Sequence, residues 1–259
     1  VIWVNVITCY KIVPDDQDII VHEDRTLGLE KAELEIGQYD LPAIEAGMKV
    51  VADAGGKVSA LSVGSKHLEN TKLKKAVLSR GPDDLYLVVD DSLADADTHQ
   101  TARTLAAAIK KIGNADLIIC GEGSSDLYAQ QVGAQLGELL GMATINAVSK
   151  ITVEGDKVIV ERTLEDEVEV LEVSLPAVIS VTTDIIQPRI PSMKEVLSAG
   201  KKPVTQWNLA DIGLADNPKT METINTLAPE LAERKLIINE GDSEEVVDQL
   251  LANLRQELQ

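Results

Sequence analysis

Four apolar runs of strand length, separated by stretches with helical period, constrain this chain more than any other feature of its sequence. The runs cover residues 2–9, 58–63, 85–89 and 116–120, and helical patterns cover 40–53, 68–78, 96–112 and 126–140. Ala43, Ile44, Gly47, Met48 and Val51 share one helical face, as do Leu105, Ala108, Ile109 and Ile112. Strands alternating with helices in this way predict a parallel, doubly wound α/β sheet covered on both faces.

The pattern changes after Gly141. Val153-Glu154-Gly155-Asp156-Lys157-Val158 reads as a tight turn between alternating strands, so an antiparallel extension is expected, and residues 168–173 and 177–183 add further strands. Pro188, Pro191 and Pro203 bracket a short helix-compatible piece, 193–199. Residues 200–233 read as an arm, and 243–258 regain an amphipathic helical pattern through Val246, Val247, Leu250, Leu251, Leu254 and Leu258. The expected organisation is an α/β nucleotide-binding domain over residues 1–200 and a C-terminal arm and helix over 201–259.

Charge and composition exclude several functions. With 43 acidic against 24 basic residues the formal net charge is -19, which opposes binding to nucleic acid and to anionic lipid. No apolar stretch approaches the ~20 residues of a membrane span, and no signal-type segment opens the sequence, so a cytoplasmic protein is expected. Cys9 and Cys120 each close an apolar run and are read as reduced thiols at strand ends. These two cysteines and three scattered histidines (His22, His67, His99) do not have zinc-site spacing.

In a parallel sheet, ligands bind beyond the carboxyl ends of the strands where the strand order reverses. If the first and fourth runs are neighbours, Cys9, Tyr10 and Lys11 face the turn Gly121 to Ser125 there. That turn offers backbone N–H groups and the positive end of a helix starting near Ser125, a combination suited to one phosphate. It matches neither the P-loop nor the dinucleotide fingerprint, and no Lys or Arg occurs from Ile112 to Ser149. Phosphoryl transfer requires cations, so binding without transfer is the better functional reading. An ordinary βα bend with Ser125 as a helix cap accounts for the turn equally well. Tyr10, Tyr39 and Tyr128 fall in segments near this crevice, where an aromatic ring can pack on a base. No paired general acid and base, activated nucleophile or metal cluster is evident, so any redox chemistry belongs to a bound cofactor.

The stretches ITCYKIVP, QYDLPAIEAG, LSRGPD, CGEGSSDLYAQQVGAQLGELLG and LPAVISVTTDIIQPRIPSMKEVLSAGKKPV resemble the β subunit of electron-transfer flavoproteins, nearly along the whole chain. The most specific parts are GxxxxDxxxxQxG (Gly121, Asp126, Gln131, Gly133) and PRxPxMK from Pro188. The branch it resembles most is bacterial, associated with anaerobic carnitine and acyl-CoA metabolism and nitrogen fixation. The resemblance implies an adenine nucleotide alpha hydrolase-like fold and an electron carrier that does not turn over a substrate of its own. It further implies an αβ heterodimer, with FAD held mainly by the α subunit and AMP, or a second FAD, in the β subunit. Carried over by position, the nucleotide site comprises Cys9, Gly37, Gln38, Tyr39, Asp40 and Val63. It continues through Gly121, Glu122, Gly123, Ser124, Ser125, Asp126, Leu127, Tyr128, Ala129, Gln130, Gln131 and Val132, with amides of Ala129 to Val132 at the phosphate.

The resemblance also maps a dehydrogenase-recognition loop to residues 188–200. There Pro188, Arg189 and Met193 face a flavin dehydrogenase of acyl-CoA type, Met193 as an apolar anchor, and the C-terminal arm packs on the α subunit. Gly37-Gln38 stands where many relatives have Asn-Pro, and Ser198 where some have a methylatable lysine. The alternative reading is a nucleotide-binding regulatory module of the universal-stress-protein type, which predicts a homodimer and exchangeable ATP.

Overall fold

Runs that are largely apolar on both faces are suited to strands covered on both sides, and the four such runs of this chain become adjacent strands in the middle of one sheet. The computed structural model describes residues 3–230 and 237–258; Ile2, expected in the first strand, and 231–233 of the expected arm lie outside the described residues. The strands are β1 (Val4–Cys9), β2 (Ile12–Pro14), β3 (Ile20–Val21), β4 (Leu27–Gly28), β5 (Leu34–Ile36), β6 (Gly56–Gly64) and β7 (Asp84–Val89). They continue with β8 (Leu117–Gly121), β9 (Ala143–Glu154), β10 (Lys157–Thr163), β11 (Val168–Ser174), β12 (Ala177–Val181) and β13 (Val204–Trp207). The helices are α1 (Asp40–Ala54), α2 (Thr71–Leu78), α3 (Thr98–Ile112), α4 (Val132–Leu140), α5 (Met193–Ala199) and α6 (Ser243–Glu257).

The chain divides into two units: residues up to Ile20 with Gly28–Asn225, and Val21–Leu27 with the residues from Thr226 onward. In the first, a nine-stranded sheet has the order β11-β10-β9-β12-β8-β1-β6-β7-β13. Every pairing from β9 to β13 is parallel, whereas β10 pairs antiparallel with β9 and β11. Successive side chains of each strand point to opposite faces. Val4 and Val6 of β1, with Leu117 and Ile119 of β8, pack toward Ala43 and Val50 of α1. Ile7, Cys9, Ile118 and Cys120 face the other way, toward Leu105 and Ile109 of α3 and Leu136 of α4. Helix α2 lies with α1 over β6 and β7, through Ile44, Leu73, Val77, Leu85 and Leu87. The sheet is therefore doubly wound, and its order reverses between β8 and β1.

Three elements differ from the sequence expectation. The last helix of the series begins at Val132 rather than 126, because Tyr128 and Gln130 take left-handed backbone angles (φ 44° and 56°) that an α-helix does not admit. Residues 177–181 do not extend the antiparallel end but insert as β12 between β9 and β8, parallel to both. All five of its residues are buried, as an interior strand requires. Within the stretch expected to be an arm, Val204–Trp207 forms the edge strand β13 beside β7. Asp97 fastens the following segment: it caps α3 in a reciprocal box with Gln100 and also accepts the N–H groups of Thr220 (2.7 Å) and Met221 (3.0 Å). The two-residue turn at Gly155-Asp156 and helix 193–199 stand where expected.

In the second unit, Asp242 caps α6 in a second reciprocal box, with Glu245. Val247, Leu250, Leu251, Leu254 and Leu258 of this segment are exposed. Arg25 pairs with Glu230 at 2.8 Å.

Helix α4 approaches the sheet closely because two glycines, one turn apart, face it. A Cβ on Gly133 would lie 2.1 Å from Ser180 Oγ, and one on Gly137 would lie 1.7 Å from Thr144 Oγ1 and 2.9 Å from its Cβ. Gly137→Ala is expected to destabilise the protein by about 1–3 kcal/mol through overpacking. Gly200→Ala, where the new methyl meets only Lys75 Cε at 3.5 Å, serves as the control and is expected to stay within about 0.5 kcal/mol. Urea unfolding of both variants measures the difference.

Candidate functional site

The crevice forms where β1 and β8 end side by side. β1 closes on Cys9 and β8 runs through Cys120 to Gly121, both cysteines being buried free thiols. Contact with the Cys120 thiol, together with burial, pushes Cys9 well above the usual thiol range, which keeps it protonated and unreactive. Val63, at the end of β6, packs against the same apolar cluster.

Beyond β1 the backbone of Lys11 is held on both sides: its N–H donates to Asp40 Oδ2 at 2.7 Å, and its carbonyl accepts the N–H of Gly37 at 2.9 Å. The Asp40 carboxylate also accepts the N–H of Gly121, so one buried side chain joins the ends of the two strands that flank the crevice. Glycine is required on both sides of it. A Cβ on Gly37 would lie 2.9 Å from Asp40 Oδ2, and one on Gly121 would lie 2.8 Å from both Asp40 Oδ1 and the Tyr39 carbonyl. Burial raises the Asp40 pKa from 3.8 to about 7, a rise that the Lys11 and Gly121 hydrogen bonds and the Lys11 charge only partly offset.

The segment from Glu122 to Gln131 is a loop. Glu122 N–H donates to the Val181 carbonyl (3.0 Å), Tyr128 N–H to the Ser124 carbonyl (3.0 Å), and Leu127 N–H to Asp126 Oδ1 (2.9 Å). Lys11 Nζ pairs with Asp126 Oδ2 at 2.5 Å across the mouth of the crevice. Burial tends to raise the Asp126 pKa, but hydrogen bonds from Lys11 and Ser124 and the Lys11 charge outweigh it and hold the carboxyl below its ordinary range. The Tyr128 ring lies over Gly123, where a Cβ would come within 2.4 Å, and tilts against Tyr39 with centroids 5.0 Å apart. Tyr10 is buried instead among Ile12, Ile36 and Ile44, so of the tyrosines expected to offer a ring face, only Tyr39 and Tyr128 stand at the mouth.

Residues Ser125, Asp126, Leu127, Tyr128, Ala129, Gln130 and Gln131 form a continuous exposed strip leading into α4. Gln131, at the helix N-cap, makes no side-chain capping bond, since its Oε1 accepts the hydroxyl of Thr98 at 2.8 Å. Helix α4 therefore starts at Val132 without a capping side chain on its first amides, an arrangement that favours an anion. The positive helix end is at Val132 and not near Ser125, and Ser125 caps nothing.

The structure thus gathers Cys9, Gly37, Gln38, Tyr39, Asp40 and Gly121 to Val132 around one crevice, with Val63 beneath it. Sequence reading placed Lys11 opposite the turn without giving it a role; only the fold shows its ammonium reaching Asp126. His67, which the sequence offers only as one of three scattered histidines, lies near Lys11: its Nδ1 contacts Ser65 Oγ at 2.7 Å, and burial and the Lys11 charge lower its pKa.

Pro188, Arg189 and Met193 lie on a different surface. The Arg189 side chain donates to the Arg80 carbonyl (2.8 Å) and pairs with Glu45 (3.4 Å) and Glu195 (3.6 Å), while Arg80 donates back to the Arg189 carbonyl (3.2 Å). The Lys202 ammonium donates to the carbonyls of Leu78, Gly81 and Pro82 at the end of α2. Between these two clamps Ile190 (93% exposed), Met193 (74%) and Leu197 (71%) stand in solvent.

The Asp40 carboxyl has a pH consequence. Because its folded pKa lies above its unfolded one, the folded state keeps a proton that the unfolded chain loses between about pH 4 and pH 7, so the contribution of Asp40 to stability declines as pH rises through that window. Asp40→Asn is expected to remove this decline. Urea midpoints at pH 5 and pH 8 should show the wild type losing more stability at the higher pH than the variant.

The described helices include none long and apolar enough to cross a membrane. A family model described as an electron transfer flavoprotein domain matches residues 26–212. That match covers well over half of the 259 residues, and the chain belongs to the electron transfer flavoprotein domain family.

Proposed function

We propose that this chain is the β subunit of an electron-transfer flavoprotein, which pairs with an unlike α subunit and carries electrons from a flavin dehydrogenase, of acyl-CoA type, to an acceptor. The observation that carries the reading is the exposed strip from Ser125 to Gln131 running into the uncapped start of α4, at the point where the sheet order reverses. The adenylate group of AMP, or of a second FAD, fits this place. The amides of Ala129 to Val132 would hold its phosphate, and the rings of Tyr39 and Tyr128 would pack on its base. FAD, held mainly by the α subunit, supplies the redox chemistry when bound. The residues of this chain hold and orient the adenylate, and the buried, protonated Cys9 thiol beneath the crevice offers no competing nucleophile.

The row Ile190, Met193 and Leu197 supports a docking role for residues 188–200. Each projects from a segment whose base is held by Arg189 and Lys202, and Met193 can adapt to an apolar pocket of the dehydrogenase. The exposed apolar residues of α6 support an arm that packs on the α subunit.

Co-expression with the α subunit is expected to yield a yellow heterodimer containing FAD, from which mass spectrometry of the extracted nucleotides recovers an adenylate in addition to the FAD of the α subunit. A folded but colourless heterodimer would overturn the reading. Met193→Ala is expected to slow electron exchange with the dehydrogenase by on the order of tenfold, as truncating a central interface anchor does, while leaving nucleotide content unchanged. Stopped-flow reduction by the dehydrogenase, alongside nucleotide analysis of the same preparation, separates the two effects.

A further inference from the structure

We propose that Lys11 is the cation that receives the phosphate of the adenylate, an inference that rests on the nucleotide reading of the crevice. A phosphate monoester brings more than one negative charge at neutral pH. The strip that would hold it contains Asp126 and lies beside Glu122 and Asp40, and the chain has no Lys or Arg anywhere from Ile112 to Ser149. Backbone amides and a helix end supply only partial charges against this acidic surround. A full positive charge must come from another part of the chain.

Among the described residues, Lys11 is the only Lys or Arg hydrogen-bonded or ion-paired to residues 121–132. Its placement is built into the fold. Hydrogen bonds to Asp40 and from Gly37 fix its backbone at the end of β1, and its Nζ reaches Asp126 at 2.5 Å. Asp126 is itself held by the Leu127 N–H and is the more covered partner, its side chain 23% exposed against 45% for Lys11. The ammonium carries three N–H donors, of which Asp126 takes one, and its open side leaves others for an anion on the strip. His67 brings no second charge, since burial and Lys11 itself disfavour its protonation. In this arrangement Asp126 aims the ammonium and Lys11 meets the phosphate.

The test uses the assembled heterodimer freed of nucleotide, with AMP and adenosine as probes in equilibrium dialysis. The wild type is expected to prefer AMP. Lys11→Gln should weaken AMP binding by roughly tenfold to a hundredfold, as the loss of a charge-assisted hydrogen bond does, and leave adenosine binding unchanged. Lys11→Arg should keep most of the preference. If Lys11→Gln weakens AMP and adenosine equally, Lys11 only braces the loop through Asp126, and the inference falls while the nucleotide site stands. If it changes neither, the inference falls in the same way. A wild-type complex that binds neither probe and yields no adenylate beyond its FAD on extraction defeats the nucleotide reading and this inference together.

Discussion

The crevice depends on one buried carboxylate. Asp40 opens α1 and accepts the backbone N–H groups of Lys11, two residues past the end of β1, and of Gly121, the last residue of β8. Parallel strands diverge beyond their last ladder bond unless something joins them, and here that join is a side chain from a third element. The cost is a carboxyl pushed toward neutrality by burial. The benefit is local. With both exits fixed, the Lys11 backbone and the Gly121 turn share one anchor. Gly37 and Gly121 follow from the same contact, since a methyl group at either would strike the carboxylate.

Cations are scarce in a chain of net charge -19, and several have identifiable tasks. Lys11 faces Asp126 at the crevice, Arg189 links Glu45, Glu195 and the Arg80 carbonyl, and Lys202 gathers three carbonyls at the end of α2. Each joins segments distant in sequence, so each acts as a cross-brace more than as a surface charge. The last two hold the ends of the segment bearing Ile190, Met193 and Leu197, which lets a short piece of chain present apolar side chains to solvent without collapsing onto its own domain.

Much of this architecture was legible in the sequence. Interior strands such as β1 and β8 carry apolar residues on both faces and announce themselves as predominantly apolar runs, while α1 and α3 show one apolar face each. The turn at Gly155-Asp156 and the helix after Ser192 were readable from local chemistry. What escaped was set by distant contacts. The 126–131 stretch has a helical composition, yet left-handed angles at Tyr128 and Gln130 break it, and no residue there is a glycine that would have warned of them. The partners of β12 depend on where the chain returns, which its own five residues do not encode. Likewise, Lys11 lies 115 positions before Asp126, and only the neighbouring exits of β1 and β8 bring the two together.

Helix α1 carries Asp40 on its first turn and Glu45 five positions later, about 7 Å farther along its axis. The first grips the strand exits at the crevice, and the second grips Arg189 at the root of the exposed apolar row. A single stiff rod therefore sets the spacing between the two surfaces. Sliding or tilting it would shift both attachments at once, so the crevice and the exposed apolar row share a common mechanical reference.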